Sequence, residues 1–143
     1  MDNSLTALYQ DLERAGITVA ELPLSGCSCL SLERGRLVGI DRTRLPTEAQ
    51  QRTALIHEEG HFDSGAFYSP FSPYQLRAQA EDRANRSAFR KRVPLDELRR
   101  QLARGLSVWE LADYFNVTDE FIWQCYLFYK DTLGEDFSRP AGA

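Results

Sequence analysis

The sequence predicts an α+β domain, mostly helical, in which a small antiparallel sheet of two or three strands precedes the helix that carries its chemistry. Two observations predict this class. Apolar residues between Ile17 and Ile40 follow the short period of strands, whereas from Pro46 onward they recur at helical spacing. The length of 143 residues suits one domain with a single sizeable core. With 43% hydrophobic and 27% charged residues, and no apolar run near about eighteen residues, the composition excludes a disordered chain, a collagen and a membrane-spanning protein.

The elements follow in order. Leu5, Leu8 and Leu12 predict a first helix over about residues 4–15, with Gly16 as its stop. Ile17 and Val19 begin a short strand, and Cys29–Leu32 and Leu37–Ile40 flank Glu33-Arg34-Gly35-Arg36 as a hairpin. Thr47 with Gln50 forms a capping box, opening a helix that runs through Leu55, Ile56 and the segment His57-Glu58-Glu59-Gly60-His61 towards Gly65. Ser72-Pro73-Tyr74-Gln75 repeats the device, with Ser72 as N-cap and Pro73 at the first helical position, for a helix reaching about Arg90. Three short helices follow Val93-Pro94. The first carries Leu95, Leu98 and Leu102, the second is capped by Ser107 with Glu110, and the third opens at Thr118. The expected organisation is a core over 1–92, a helical segment over 93–134 packed on it, and a flexible tail over 135–143.

Both histidines of the chain fall within five residues. On a helix, residues four apart stand one above the other, so His57 and His61 present both imidazoles to one point. Zinc accepts neutral imidazole nitrogen at about 2.0–2.1 Å, and Glu58 projects beside that point, where it can serve as general base towards a zinc-bound water. A catalytic zinc also needs a third protein ligand, which here must be a carboxylate or a cysteine. Glu81 leads, because it lies on the next capped helix near the small residues Ala78, Ala84 and Ala88. Asp82 points about 100° away around that helix, Asp63 falls on another face, and Glu59 reads as a solvated helix residue. Tyr68, Tyr74 and Arg77 are the candidates for an oxyanion-stabilising donor, and the sequence does not choose among them.

The segments His57–His61, Glu81-Asp82-Arg83-Ala84-Asn85, Val93-Pro94-Leu95-Asp96-Glu97-Leu98 and Glu110–Thr118 together resemble the ImmA/IrrE family of metallo-endopeptidases, over roughly residues 4–130. The resemblance implies a small gluzincin-like fold, one zinc per chain held by His57, His61 and Glu81, and Glu58 as general base. It also implies a substrate, a separately encoded helix-turn-helix repressor whose inactivation releases genes of a mobile element or a stress response. A binding module that keeps the fold and only sequesters its partner is the alternative.

Residues 107–130 also resemble a helix-turn-helix, yet the would-be recognition helix begins with Asp119 and Glu120 and is rich in aromatics, so direct DNA binding is not expected. Those aromatics, Trp123 among them, read as core. The basic run over 83–104, net +6, and the acidic run over 110–136, net −6, oppose one another, and the basic run reads as a solvated face with Arg stems over the core. Cys27-Ser28-Cys29 and Cys125 read as inert thiols, and their odd number, with no secretory signal at Met1–Ser4, makes a cytoplasmic location the expectation.

Overall fold

The Ser4 hydroxyl accepts the Ala7 amide at 3.0 Å and so opens α1 (Leu5–Arg14), which buries Leu8 and Leu12. The computed structural model describes residues 1–138. Gly16, at φ +75°, turns the chain into β1 (Thr18–Glu21); β2 (Cys29–Leu32) and β3 (Leu37–Ile40) complete a three-stranded sheet of order β1-β3-β2. The predicted hairpin is present, with Cys29 opposite Ile40 and Leu32 opposite Leu37.

The sheet is mixed, however, and not wholly antiparallel as expected. β1 runs parallel to β3, with Thr18 beside Leu37 and Glu21 beside Ile40. The reason lies in the segment 22–28, which turns β2 back against the direction of β1 but leaves a gap one strand wide, and β3 fills it. Asp41 holds that segment in place by accepting the Leu24 amide and donating its own to the Ser28 carbonyl. β3 is the apolar centre, with Val38 and Ile40 fully buried, and β2 is an edge with no second strand partner among the described residues.

A short 3-10 turn (Arg42–Arg44) leads to α2 (Glu48–Ser64), opened by the predicted Thr47–Gln50 capping box and closed at Gly65 in the left-handed conformation. α2 is the central element. It packs against α3 (Tyr74–Arg92), against α1 and against the sheet, and it buries residues on several sides, including Arg52, Leu55, Ile56 and Glu59. α3 starts one residue later than expected. The Ser72 hydroxyl accepts the Ser69 amide at 3.0 Å within the loop, so it is not free to cap, and Pro73 takes the cap position.

α4 (Leu95–Ala103), α5 (Val108–Phe115) and α6 (Asp119–Leu127) follow, and a π-helical turn (Phe128–Thr132) extends α6. The Ser107–Glu110 capping box and the Thr118 cap are both formed. One continuous cluster of buried side chains joins Leu8, Ile40, Leu55, Phe89, Phe115 and Ile122. Trp123, expected in the core, is half exposed, while Phe121, Ile122 and Cys125 supply the buried face of α6. Of the tail over 135–143, Arg99 Nη2 donates to Glu135 at 2.9 Å and Phe137 packs on Tyr126; residues 139–143 lie outside the described residues. No described helix is long and apolar enough to cross a membrane.

Candidate metal centre

The site is made where α2 and α3 touch. Gly60 is the residue that allows it, because a Cβ there would stand 2.2 Å from the Ala84 carbonyl oxygen. Ala80, Ala84 and Ala88, four residues apart, form the small-residue stripe that α3 lays on α2. Ala78, expected on that face, is exposed, and Ala80 takes its place. Glu81 precedes Ala84 by less than one turn, so the close contact delivers its carboxylate to the two histidines.

His57 Nε2 lies 2.6 Å from Glu81 Oε2, and His61 Nε2 lies 3.3 Å from Glu81 Oε1. The three ligating groups all fall within 4.8 Å of one another. Both imidazoles are held from behind. His61 Nδ1 donates to the Ala66 carbonyl at 2.6 Å, and His57 Nδ1 donates to Asn85 Oδ1 at 2.8 Å. A carbonyl can only accept, so Nδ1 carries a proton and Nε2 of each ring is left facing Glu81. Nitrogen and carboxylate lone pairs converging on one point repel unless a metal ion or a proton lies between them. That donor set, with its outer hydrogen bonds, fits a metal ion that takes nitrogen and oxygen ligands.

A proton on Nε2 meets the same need. Burial works to lower both histidines, but hydrogen bonding to Glu81 and the nearby carboxylates outweigh it and hold both above the usual imidazole value. His57, His61 and then Tyr68 hold the Glu81 carboxyl well below the usual carboxylate range. The Tyr68 hydroxyl donates to Glu81 Oε1 at 2.6 Å, and this bond, with burial, pushes the phenol up to about 12. The His61 side chain is 5% exposed, against 27% for His57 and 35% for Glu81, so the cluster opens to solvent on one side only.

Glu58 lies next to this cluster at the floor of a cleft of about 970 Å³. Burial pushes its carboxyl up, opposed by a hydrogen bond from Ser31 and by the two histidines. β2 forms one wall of the cleft with Cys29, Leu30 and Ser31, and the first turn of α6 forms another with Thr118 and Phe121. Burial, aided by the Glu58 charge, pushes the Cys29 thiol up, consistent with an inert role.

The remaining carboxylates are engaged elsewhere. Asp82 is exposed and pairs with Arg86 at 2.9 Å, and Asp63 pairs with Lys91 at 2.8 Å. Glu59 corrects the expectation of a solvated residue. It is 3% exposed and is bound by Arg92 through both oxygens, while Arg92 also reaches Asp11 on α1. Part of the basic run is thus internal wiring.

Tyr68 and Arg77 line the cleft, whereas Tyr74 is 79% exposed and does not. Asn85, Ala66, Ser31 and Gly60 are the contributors that sequence reasoning passed over. Asn85 alone carried a readable signal, since it follows Glu81 by four residues and shares its helix face. Comparison with protein-family models, with curated proteins and with solved structures finds no match for this chain.

Proposed function

We propose that this chain is a zinc-dependent endopeptidase that cleaves, and so inactivates, a separately encoded helix-turn-helix repressor. The observation that carries the reading is Glu58, buried in the cleft beside the converging His57, His61 and Glu81. A site built only to hold a metal or a partner has no use for a base there.

His57, His61 and Glu81 would hold the metal, and the partly exposed side of the cluster would admit a substrate. A zinc ion so bound supplies Lewis acidity and a water of lowered pKa. Glu58 would take the proton of the attacking water and return it to the leaving amine. Tyr68, whose protonated hydroxyl donates to Glu81, would turn from that oxygen to the charge developing on the scissile carbonyl. The edge strand β2, not the central β3, faces the cleft, and an extended peptide would add there as a further strand.

The test is incubation of the helix-turn-helix repressor encoded beside this gene with the zinc-loaded protein and with Glu58→Gln, followed by mass spectrometry. Both proteins should carry about one zinc per chain, and the variant should lose cleavage by roughly a hundredfold or more. Relief of repression by Glu58→Gln equal to that by the parent would assign the protein to sequestration instead.

A further inference from the structure

Arg77 precedes Glu81 by four residues on α3, so the two side chains leave the same helix face one turn apart. A guanidinium so placed ordinarily pairs with the carboxylate. Here the Glu81 oxygens are already engaged by His57, His61 and Tyr68. Arg77 Nε is shut away from solvent and has no hydrogen-bond partner among the described residues. Arg77 is also the only Lys or Arg among the described residues lining the cleft, whose acidic residues are Glu58, Glu81 and Glu120. Arg77 and Tyr68 line the same cleft.

The unpartnered Nε marks a guanidinium that no carboxylate among the described residues pairs with, and its two Nη groups present donors that match the two oxygens of a carboxylate. A neutral carbonyl is already provided for by Tyr68. Resting on the peptide-binding role of the cleft, we propose that Arg77 determines specificity, its guanidinium binding a carboxylate of the peptide substrate. That carboxylate is the side chain of an Asp or Glu, or a free C-terminus.

The test uses a synthetic peptide array in which each position is fixed in turn and the rest are randomised, made with amidated and with free C-termini. It is probed with the zinc-loaded Glu58→Gln protein, which should bind without cutting, and with that protein carrying Arg77→Met or Arg77→Lys. Glu58→Gln should favour Asp and Glu at one position of the amidated set, or else favour the free termini, and the two sets tell the sources apart. Arg77→Met should weaken those peptides roughly tenfold to a hundredfold, to the level of their Gln or amide counterparts, while keeping one zinc per chain. Arg77→Lys, which keeps the charge and loses the fork, should recover part of the preference.

Absence of peptide binding, absence of an acidic preference, a preference that survives Arg77→Met, or equal weakening of acidic and neutral peptides would each overturn the assignment. Wild-type turnover of the same array separates it from the peptidase reading. Cleavage without acidic preference removes the role of Arg77 alone, and an Arg77-dependent preference without cleavage removes the peptidase alone.

Discussion

Asn85 shows how much of the centre is held by groups that do not face it. Its side-chain oxygen fixes the tautomer and the direction of His57, as the Ala66 carbonyl does for His61. Such outer partners are typically worth about 10–100-fold in metal affinity. Asn85→Ala should therefore weaken zinc binding by about that factor in a competition titration with a chromogenic chelator, with little change in folding. A variant whose zinc affinity equals the parent's would show that His57 needs no such support. At this scale the sequence was legible for the groups whose chemistry is distinctive. His57, His61 and Glu58 announce themselves by type and spacing, whereas Asn85 is one of many amides until its neighbour across the helix contact is known.

At the scale of elements, the approach of α3 to α2 decides whether a metal centre exists. The separation is set by Gly60 against the Ala84 backbone, and backbone cannot step aside as a flexible side chain can. Gly60→Ala should push the helices apart, lower stability by about 1–3 kcal/mol in urea denaturation, and reduce zinc stoichiometry below one per chain by withdrawing Glu81. Retention of full zinc binding by this variant would mean that Glu81 reaches the site without the tight contact. The helices themselves were readable, since the boxes at Thr47–Gln50 and Ser107–Glu110 are local devices and both formed. The start of α3 was misplaced because Ser72 bonds to Ser69, a loop partner that competes with the cap. The parallel pairing of β1 was not readable either, since strand order depends on how segment 22–28 crosses the sheet.

Across the whole molecule, charge pairs tie distant parts of the chain together. Arg92 joins α3 to Glu59 on α2 and Asp11 on α1, and Arg99 joins α4 to Glu135 beyond the last helix. Glu97 joins α4 to α5 by accepting the Tyr114 hydroxyl at 2.5 Å. Together with bonds from Arg100 and Gln101, this holds its carboxyl down to about 2 from an ordinary 4.5. A depressed folded pKa contributes stability that is complete above the unfolded value and is lost as pH falls through the folded one. Glu97→Gln should therefore be less stable than the parent at pH 5, and the difference in urea midpoint should shrink steadily between about pH 4.5 and 2. A difference that stays constant across that window would show that the Glu97 charge contributes nothing to α4–α5 docking.

The sequence by itself determined the α+β class, the α2 boundaries, the pairing of His57 with His61 and the placing of Glu58 beside them. These are decided within a few residues, by capping chemistry and by the pitch of one helix. Only the tertiary structure decided the mixed pairing of the sheet, the internal ion pair of Glu59, the edge position of β2 at the cleft and an Arg77 Nε with no partner among the described residues. Each depends on which surfaces meet across the core, and a burial partner distant in sequence leaves no periodic trace at either residue. Glu81 stands between the two. Its helix and its chemistry were legible, but its arrival at the histidines waited on Gly60, whose missing side chain lets α3 come close enough to bring it there.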